Sequence, residues 1–226
     1  MRADFASIAR LLASPARSVM VGALLEGRAL TAGELARLAA IAPSTTSEHL
    51  DELVRGGLVV VTAQGRHRYF AVANSAVAEA LEAFARICPE LPVSSLRSSE
   101  QARALRRART CYDHLAGALG VAILDAVVER RWLVPVGPTF ELGPGGSGGF
   151  AELGVDVAAV RRQKRRLARP CLDWTERRSH LAGGLGAALA GSLLQRRWIE
   201  RDSQHRALRV TPTGKANLRA LLEVEA

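Results

Sequence analysis

Lysine is nearly missing from this chain: Lys164 and Lys215 are the only two among 31 lysines and arginines. Ala/Arg/Gly/Leu-rich chains poor in lysine are typical of GC-rich coding sequence, so the arginine bias by itself identifies no mechanism. Cysteine is scarce too. Three cysteines, an odd count, argue against a secreted disulfide framework and for a reducing cytoplasm. No apolar run approaches the ~18 residues that a membrane span needs. The opening MRADFASIAR lacks the apolar core of a signal peptide. A cytoplasmic protein with no membrane partner is expected. The common catalytic signatures, GxSxG, a Walker loop and HExxH, are absent as well. The glycine run GPGGSGG at 143–149 does not lead into GK[ST] and reads as a flexible loop. The chain is therefore not expected to be an enzyme.

What is present is ordinary in bulk and uneven in detail. The 226 residues are 48% apolar and 23% charged, enough for one or two folded domains at roughly 150 residues each. The net charge of +9 suggests a polyanionic partner, nucleic acid before an anionic membrane. Yet residues 1–90 hold nine arginines against nine acidic residues, so residues 91–226 carry the entire excess. It concentrates at 103–109 and 161–169.

Apolar periodicity gives helices over 4–13 and 15–26, the second with Val19, Leu24 and Leu25 inward and Gly27 as its stop. Thr31 and Glu34 form a capping box for a third helix. A fourth begins at Ser44 and ends at Gly56-Gly57. Two β-branched and aromatic runs around Gln64-Gly65-Arg66 read as a hairpin, and a fifth helix spans Ser75–Ile87, with Cys88 as a core residue at its end. The Pro/Ser-rich stretch 89–98 reads as a linker. Beyond it, a helix bearing Arg103, Arg106, Arg107 and Arg109 runs on through 110–131. Trp132–Leu142 forms a hairpin and 154–168 a basic amphipathic helix. Asp173 and Glu176 cap a helix 174–196, Trp198–Thr211 forms a second hairpin, and Thr213–Glu223 a closing helix.

The C-terminal half repeats itself. His114–Gly120 (HLAGALG) recurs as His180–Gly186 (HLAGGLG), and Arg130-Arg131-Trp132-Leu133 as Arg196-Arg197-Trp198-Ile199, both at an offset of 66 residues. Each copy is preceded by Cys-x-Asp, at Cys111/Asp113 and Cys171/Asp173, with six extra residues in the second. Two helix-then-hairpin units, about 109–142 and 169–211, are expected around a pseudo-twofold axis, their small residues letting two helices approach closely.

Helix, short turn, helix and hairpin over 31–72 is the winged helix-turn-helix order, whose second helix enters the major groove. Its start and outward face carry Pro43, Ser44, Thr45, Thr46, Ser47 and His49, and its free amides suit a phosphate. The wing tip adds Arg66, His67 and Arg68. The alternative for these residues is ordinary capping, and for the whole chain a non-DNA protein or RNA interaction module.

Leu12–Arg17 (LASPAR), Leu35-Ala36, Pro43–Leu50 (PSTTSEHL) and Leu53–Val59 (LVRGGLV) resemble the ArsR/SmtB family of bacterial repressors over residues 5–88. The resemblance implies a homodimer with its first and fifth helices across the twofold, on a palindromic double-stranded DNA operator released by an inducer. The family's metal sites do not carry over. The third helix begins Leu30–Glu34 without Cys or His, and the fifth has no His or Asp.

The C-terminal half has its own candidates. Cys111 and His114, three apart, would share a helix face, with Asp113 adjacent, and the second copy supplies Cys171, Asp173 and His180. Brought together, they suit zinc or another thiophilic metal. A thiol redox switch through Cys111 and Cys171 and a purely structural role are the alternatives. Trp132, Trp174, Trp198 and Phe140 could instead line a small-molecule pocket. The expected protein is thus mainly α with small β-hairpins (α+β): a winged helix-turn-helix in 1–90 and an effector-sensing or dimerisation domain in 91–226. Its expected role is that of a homodimeric transcriptional repressor.

Overall fold

The computed structural model describes residues 3–25, 29–85, 87–88, 96–202 and 206–225. Gly27, residues 89–95 of the linker and the turn 203–205 of the last hairpin lie outside the described residues. The chain divides into two compact units, Met1–Phe84 and Ala85–Ala226.

The first unit begins with α1 (Phe5–Leu12) and α2 (Pro15–Leu24), capped by the side chains of Asp4 and Ser14, with Pro15 where a missing N–H costs nothing. The strand β1 (Leu30–Thr31) runs into α3 (Ala32–Ala39), and Thr31 and Glu34 complete the capping box in both directions. After a left-handed Ala40, α4 spans Pro43–Arg55, closed by Gly57 at φ +73°. The strands β2 (Val59–Gln64) and β3 (His67–Val72) pair in register from Val59↔Val72 to Gln64↔His67, with Gly65 (φ +59°) opening the two-residue turn. The small sheet has the order β1-β3-β2, and α5 (Ser75–Ala85) follows. Met20, Leu24, Leu35, Leu50, Leu53 and Phe70 fill the core. Two inward assignments are corrected. Val19 is 45% exposed while Met20 and Val21 are buried, and Cys88 lies on the surface beyond α5.

The second unit opens with α6 (Leu96–Arg107), which takes in the last three residues of the expected linker. The helix does not run on through 110–131. A hairpin of β4 (Arg109–Cys111) and β5 (His114–Ala116) intervenes before α7 (Gly117–Glu129). The expected hairpin then appears as β6 (Leu133–Val136) and β7 (Thr139–Leu142). GPGGSGG is not a loop throughout, because α8 (Gly146–Glu152) starts inside it. Gly149 is there for contact: a Cβ on it would lie 2.0 Å from the Trp132 ring. The basic helix expected over 154–168 is only α9 (Val157–Arg161), followed by irregular chain.

The second copy repeats the arrangement as β8 (Arg169–Leu172), β9 (Ser179–Ala182), α10 (Gly183–Gln195), β10 (Ile199–Arg201) and β11 (Leu208–Val210). The helix expected over 174–196 therefore starts only at Gly183. The closing helix α11 (Pro212–Leu222) is capped by Thr211. Each repeat is hairpin–helix–hairpin rather than helix–hairpin. Its core includes Leu119, Ile123, Val127, Leu185, Leu189 and Leu193 with Phe150 and Trp198.

The repeats interlock. A Cβ on Gly120 would meet the Leu115 carbonyl oxygen at 2.7 Å and His180 Cβ at 3.4 Å. At the equivalent Gly186 it would meet the Leu181 carbonyl oxygen at 2.3 Å and His114 Cβ at 3.3 Å. The small residues of LAGxLG thus seat each helix on its own strand and on the other copy's histidine, not helix on helix. Gly117 and Gly183 (φ +78° and +85°) make the same turn into α7 and α10.

Candidate DNA interface and metal centre

In the first unit, α4 starts at Pro43 on Ala42 with no side-chain cap, whereas the helices before it are capped by Asp4, Ser14 and Thr31. Its first-turn amides and the exposed Pro43, Ser44 and Ser47 form one accessible end, with Thr45 half-buried. Thr46 does not belong to this surface. It is fully buried and its hydroxyl donates to the Ala42 carbonyl at 2.9 Å, so it packs inward with Leu50 and Leu53. His49 is half-buried and its Nδ1 accepts from Arg17 at 3.3 Å, leaving Nε2 as the ring's donor. Arg17 also donates to Glu52 and, from Nε, to the Leu11 carbonyl at 2.6 Å, clamping α2 to α4. At the wing, Arg66, His67 and Arg68 are all exposed, with the Arg68 guanidinium 5.5 Å from the Phe70 ring.

In the second unit, Cys111, His114, Cys171 and His180 come together, their ligand atoms all within 4.8 Å of one another. The route to this is not a helix face. Cys111 faces His114 across the β4–β5 hairpin, and Cys171 faces His180 across β8–β9. Residues directly opposite on antiparallel strands project to the same side. The six extra residues of the second copy only lengthen the turn between a Cys and a His that remain paired. In the first copy the turn is Tyr112-Asp113, with Tyr112 held at φ +57°, a conformation that costs a non-glycine residue on the order of 1 kcal/mol.

The donor atoms are arranged to be used. Cys111 Sγ lies 4.0 Å from Cys171 Sγ, and the two imidazole centroids are 5.1 Å apart. His114 Nδ1 donates to Asp113 at 3.0 Å, and the other Asp113 oxygen accepts from Arg165 at 2.8 Å. His180 Nδ1 lies 3.3 Å from Asp173 without an aligned hydrogen bond. Nε2 of both histidines is buried and has no partner. Buried imidazole nitrogens are seldom left unsatisfied. Burial opposes a charged His114, but Asp113 and Cys171 outweigh it and raise its pKa. The hydrogen bond from Cys111 leads the effects that pull the Cys171 thiol far below its ordinary value, with His114 and His180 adding to it against burial. The site therefore brings together two sulfurs, with Cys171 favoured toward the thiolate, and two imidazole rings.

Asp173 ties the two copies together, and its importance is not apparent from its place in the sequence. It is fully buried and accepts from Arg109 at 2.9 and 3.0 Å, from the Gly117 amide at 2.7 Å and from the Thr175 hydroxyl at 2.7 Å. It also caps a short turn at Glu176 rather than a long helix. Arg109, expected on a basic helix face, is instead fully buried, with its guanidinium 4.9 Å from the Trp174 ring. Burial disfavours the Asp173 carboxylate, yet His180, the Arg109 charge and these donors hold its pKa far below the ordinary value. Asp113 is likewise lowered by His114 and Arg165 against burial. The three tryptophans do not share a pocket: Trp198 is in the core, Trp132 stacks near Phe150 and Trp174 lies under Arg109.

No helix among the described residues is long and apolar enough to cross a membrane. The helix-turn-helix domain family matches residues 12–62. Among solved structures, the chain is similar to the cadmium metal-sensor CMTR from Mycobacterium tuberculosis, at 34% identity over 41% of this chain and 100% of that one, TM-score 0.33. It is also similar to the homodimeric winged helix-turn-helix domain Mb0332 from Mycobacterium bovis, at 22% identity over 42% of this chain and 97% of that one, TM-score 0.33. One curated relative, the uncharacterized HTH-type transcriptional regulator YdfF of Bacillus subtilis, is 42% identical over 225 residues and covers 100% of both chains. A relationship that extends through both units places this chain in the family of helix-turn-helix transcriptional regulators.

Proposed function

We propose that this regulator acts as a homodimeric repressor on a palindromic operator, and that its second unit binds a thiophilic metal ion, zinc by its donor set, whose occupancy sets DNA affinity. Cys111, His114, Cys171 and His180 would hold the ion. The observation that carries this reading is the pair of buried, unpartnered Nε2 atoms beside two thiols. Zinc at about 2.3 Å from sulfur and about 2.0–2.1 Å from nitrogen needs four donors converging as these do. Asp113 and Asp173 stand behind the histidines where a ligating imidazole commonly finds a carboxylate. Bound zinc would hold the site closed, and Asp113 would fix the proton of His114 on Nδ1. The dimer is supported by Phe5 (81% exposed) and Ile8 on α1 and Phe84 on α5, apolar side chains left uncovered on the two helices that the resemblance puts at the twofold. In the reading head, the uncapped start of α4 and the wing arginines would contact DNA, with Thr46 as a core residue.

One distance favours a second reading. Two thiols 4.0 Å apart can close to a disulfide, giving two electrons and two protons to a peroxide and releasing two waters.

The test is duplex affinity measured by fluorescence anisotropy on a sequence selected from a random library, with zinc present or chelated. Zinc is expected to change the dissociation constant at least about fivefold, the lower end of typical coupling. Arg66→Ala with Arg68→Ala is expected to flatten the log–log salt slope by about two units. An affinity indifferent to zinc but changed by peroxide would favour the thiol switch. Indifference to both would remove effector control from this site.

A further inference from the structure

A protein that binds DNA must neutralise phosphates, and the first 90 residues, which hold the wing arginines, have no net charge. The excess lies in the second unit, and its densest stretch is Arg161-Arg162-Gln163-Lys164-Arg165-Arg166. Such a run is usually a solvated helix face. Here it is not a helix beyond Arg161, and all six residues are exposed. Its backbone is nevertheless fixed at both ends. The Gln163 amide donates to the Val160 carbonyl at 3.1 Å, and the Arg166 and Leu167 carbonyls accept from the Gly184 and Leu185 amides at 2.9 and 2.8 Å. In the middle, Arg165 is tied to Asp113. Among the described residues, Arg161, Arg162, Lys164 and Arg166 have no acidic partner. The result is a pinned strap that displays four unneutralised cations, in a protein whose first 90 residues carry no net charge.

We propose that residues 161–166 form a second DNA contact, a sequence-independent strap for duplex phosphates. The partner follows from charge complementarity and from the DNA-binding family to which the chain belongs. Contacts of this kind hold a protein on the duplex without reading bases. Arg165 is the anchor, and the other four cations make the contact.

The experiment uses the full chain with a random-sequence 30-base-pair duplex, titrated by anisotropy across a salt series. The variant R161Q/R162Q/K164Q/R166Q keeps Arg165 and its tie to Asp113. At about 0.9 slope units per phosphate contact, its log–log salt slope is expected to fall by about three to four, with zinc content and tryptophan-monitored unfolding unchanged. A slope within about one unit of the parent's overturns the proposal. So does an unchanged duplex slope accompanied by lost sedimentation with phosphatidylserine vesicles, which would assign the strap to a lipid surface. Zinc content read on the same samples keeps the result separate from the metal reading.

Discussion

Asp173→Ala is expected to cost the second unit about 3–5 kcal/mol of folding stability, the usual penalty for leaving one member of a buried ion pair without the other. That would be a large share of a typical domain's total of about 5–15 kcal/mol. The reason is that Asp173 satisfies several groups at once. Without it the fully buried Arg109 keeps its charge but loses both carboxylate oxygens, and the Gly117 amide at the head of α7 loses its acceptor. Because Arg109 belongs to the first repeat and Asp173 to the second, the loss falls on the junction between copies. All three tryptophans, Trp132, Trp174 and Trp198, lie in this unit, so urea unfolding followed by tryptophan fluorescence reports on it alone. A cost under about 1 kcal/mol would show that the pair is not structural. The pH dependence has a definite sign. A carboxyl held below its ordinary value contributes stability that is complete above that value, 3.8, and is lost as the pH falls from there toward the folded value. Asp173→Asn is expected to weaken the unit at neutral pH and to remove that portion of its acid sensitivity.

Asp113→Asn is expected to lower zinc affinity about 10–100-fold without unfolding the protein, because its carboxylate orients His114 rather than touching the ion. Its side chain is 31% exposed and its second partner, Arg165, is on the surface, so the fold has little to lose. Cys171→Ser should be far more damaging to binding, since it replaces the thiolate itself. Both effects are visible as stability. Zinc at a thousand times its dissociation constant should add about 4 kcal/mol to the parent's unfolding free energy. At the same free zinc the Asp113→Asn protein should gain about 1.4–2.7 kcal/mol less, and the Cys171→Ser protein almost nothing. Equal stabilisation of all three would mean that zinc acts elsewhere on the chain.

The winged helix was legible because its signals are local and agree with one another. Thr31 and Glu34 box the start of α3, Gly57 closes α4 and Gly65 turns the wing. Thr46 reads as part of a polar face because it lies in a run of hydroxyl residues, whereas the structure buries it. Its spacing of four and seven to Leu50 and Leu53 already places it inside. In the second unit the hairpins 133–142 and 199–210 were readable, but β4–β5 was not. Strands of three residues are too short to show a period of two, and HLAGALG has the composition of a helix. The four residues of the proposed centre are legible in the sequence, but the geometry that brings them together is not. A gap of three in one copy and nine in the other cannot both keep Cys and His on one helix face, since nine residues turn a helix to its opposite side. A hairpin accepts either gap through its turn. Arg109 and Arg165 are hidden among many arginines, and only the fold shows that Arg109 meets Asp173 of the other repeat and that Arg165, between the repeats, meets Asp113.

The central claim is that Cys111, His114, Cys171 and His180 form one metal centre. The most direct measurement is metal content and the cobalt(II) absorption spectrum of the purified chain beside its Cys111→Ser/Cys171→Ser variant. About one zinc per chain is expected in the parent, with cobalt substitution giving thiolate charge-transfer and tetrahedral bands. The variant should hold almost no zinc and show neither feature. Equal metal in both proteins, or a cobalt spectrum without thiolate bands, would contradict the account.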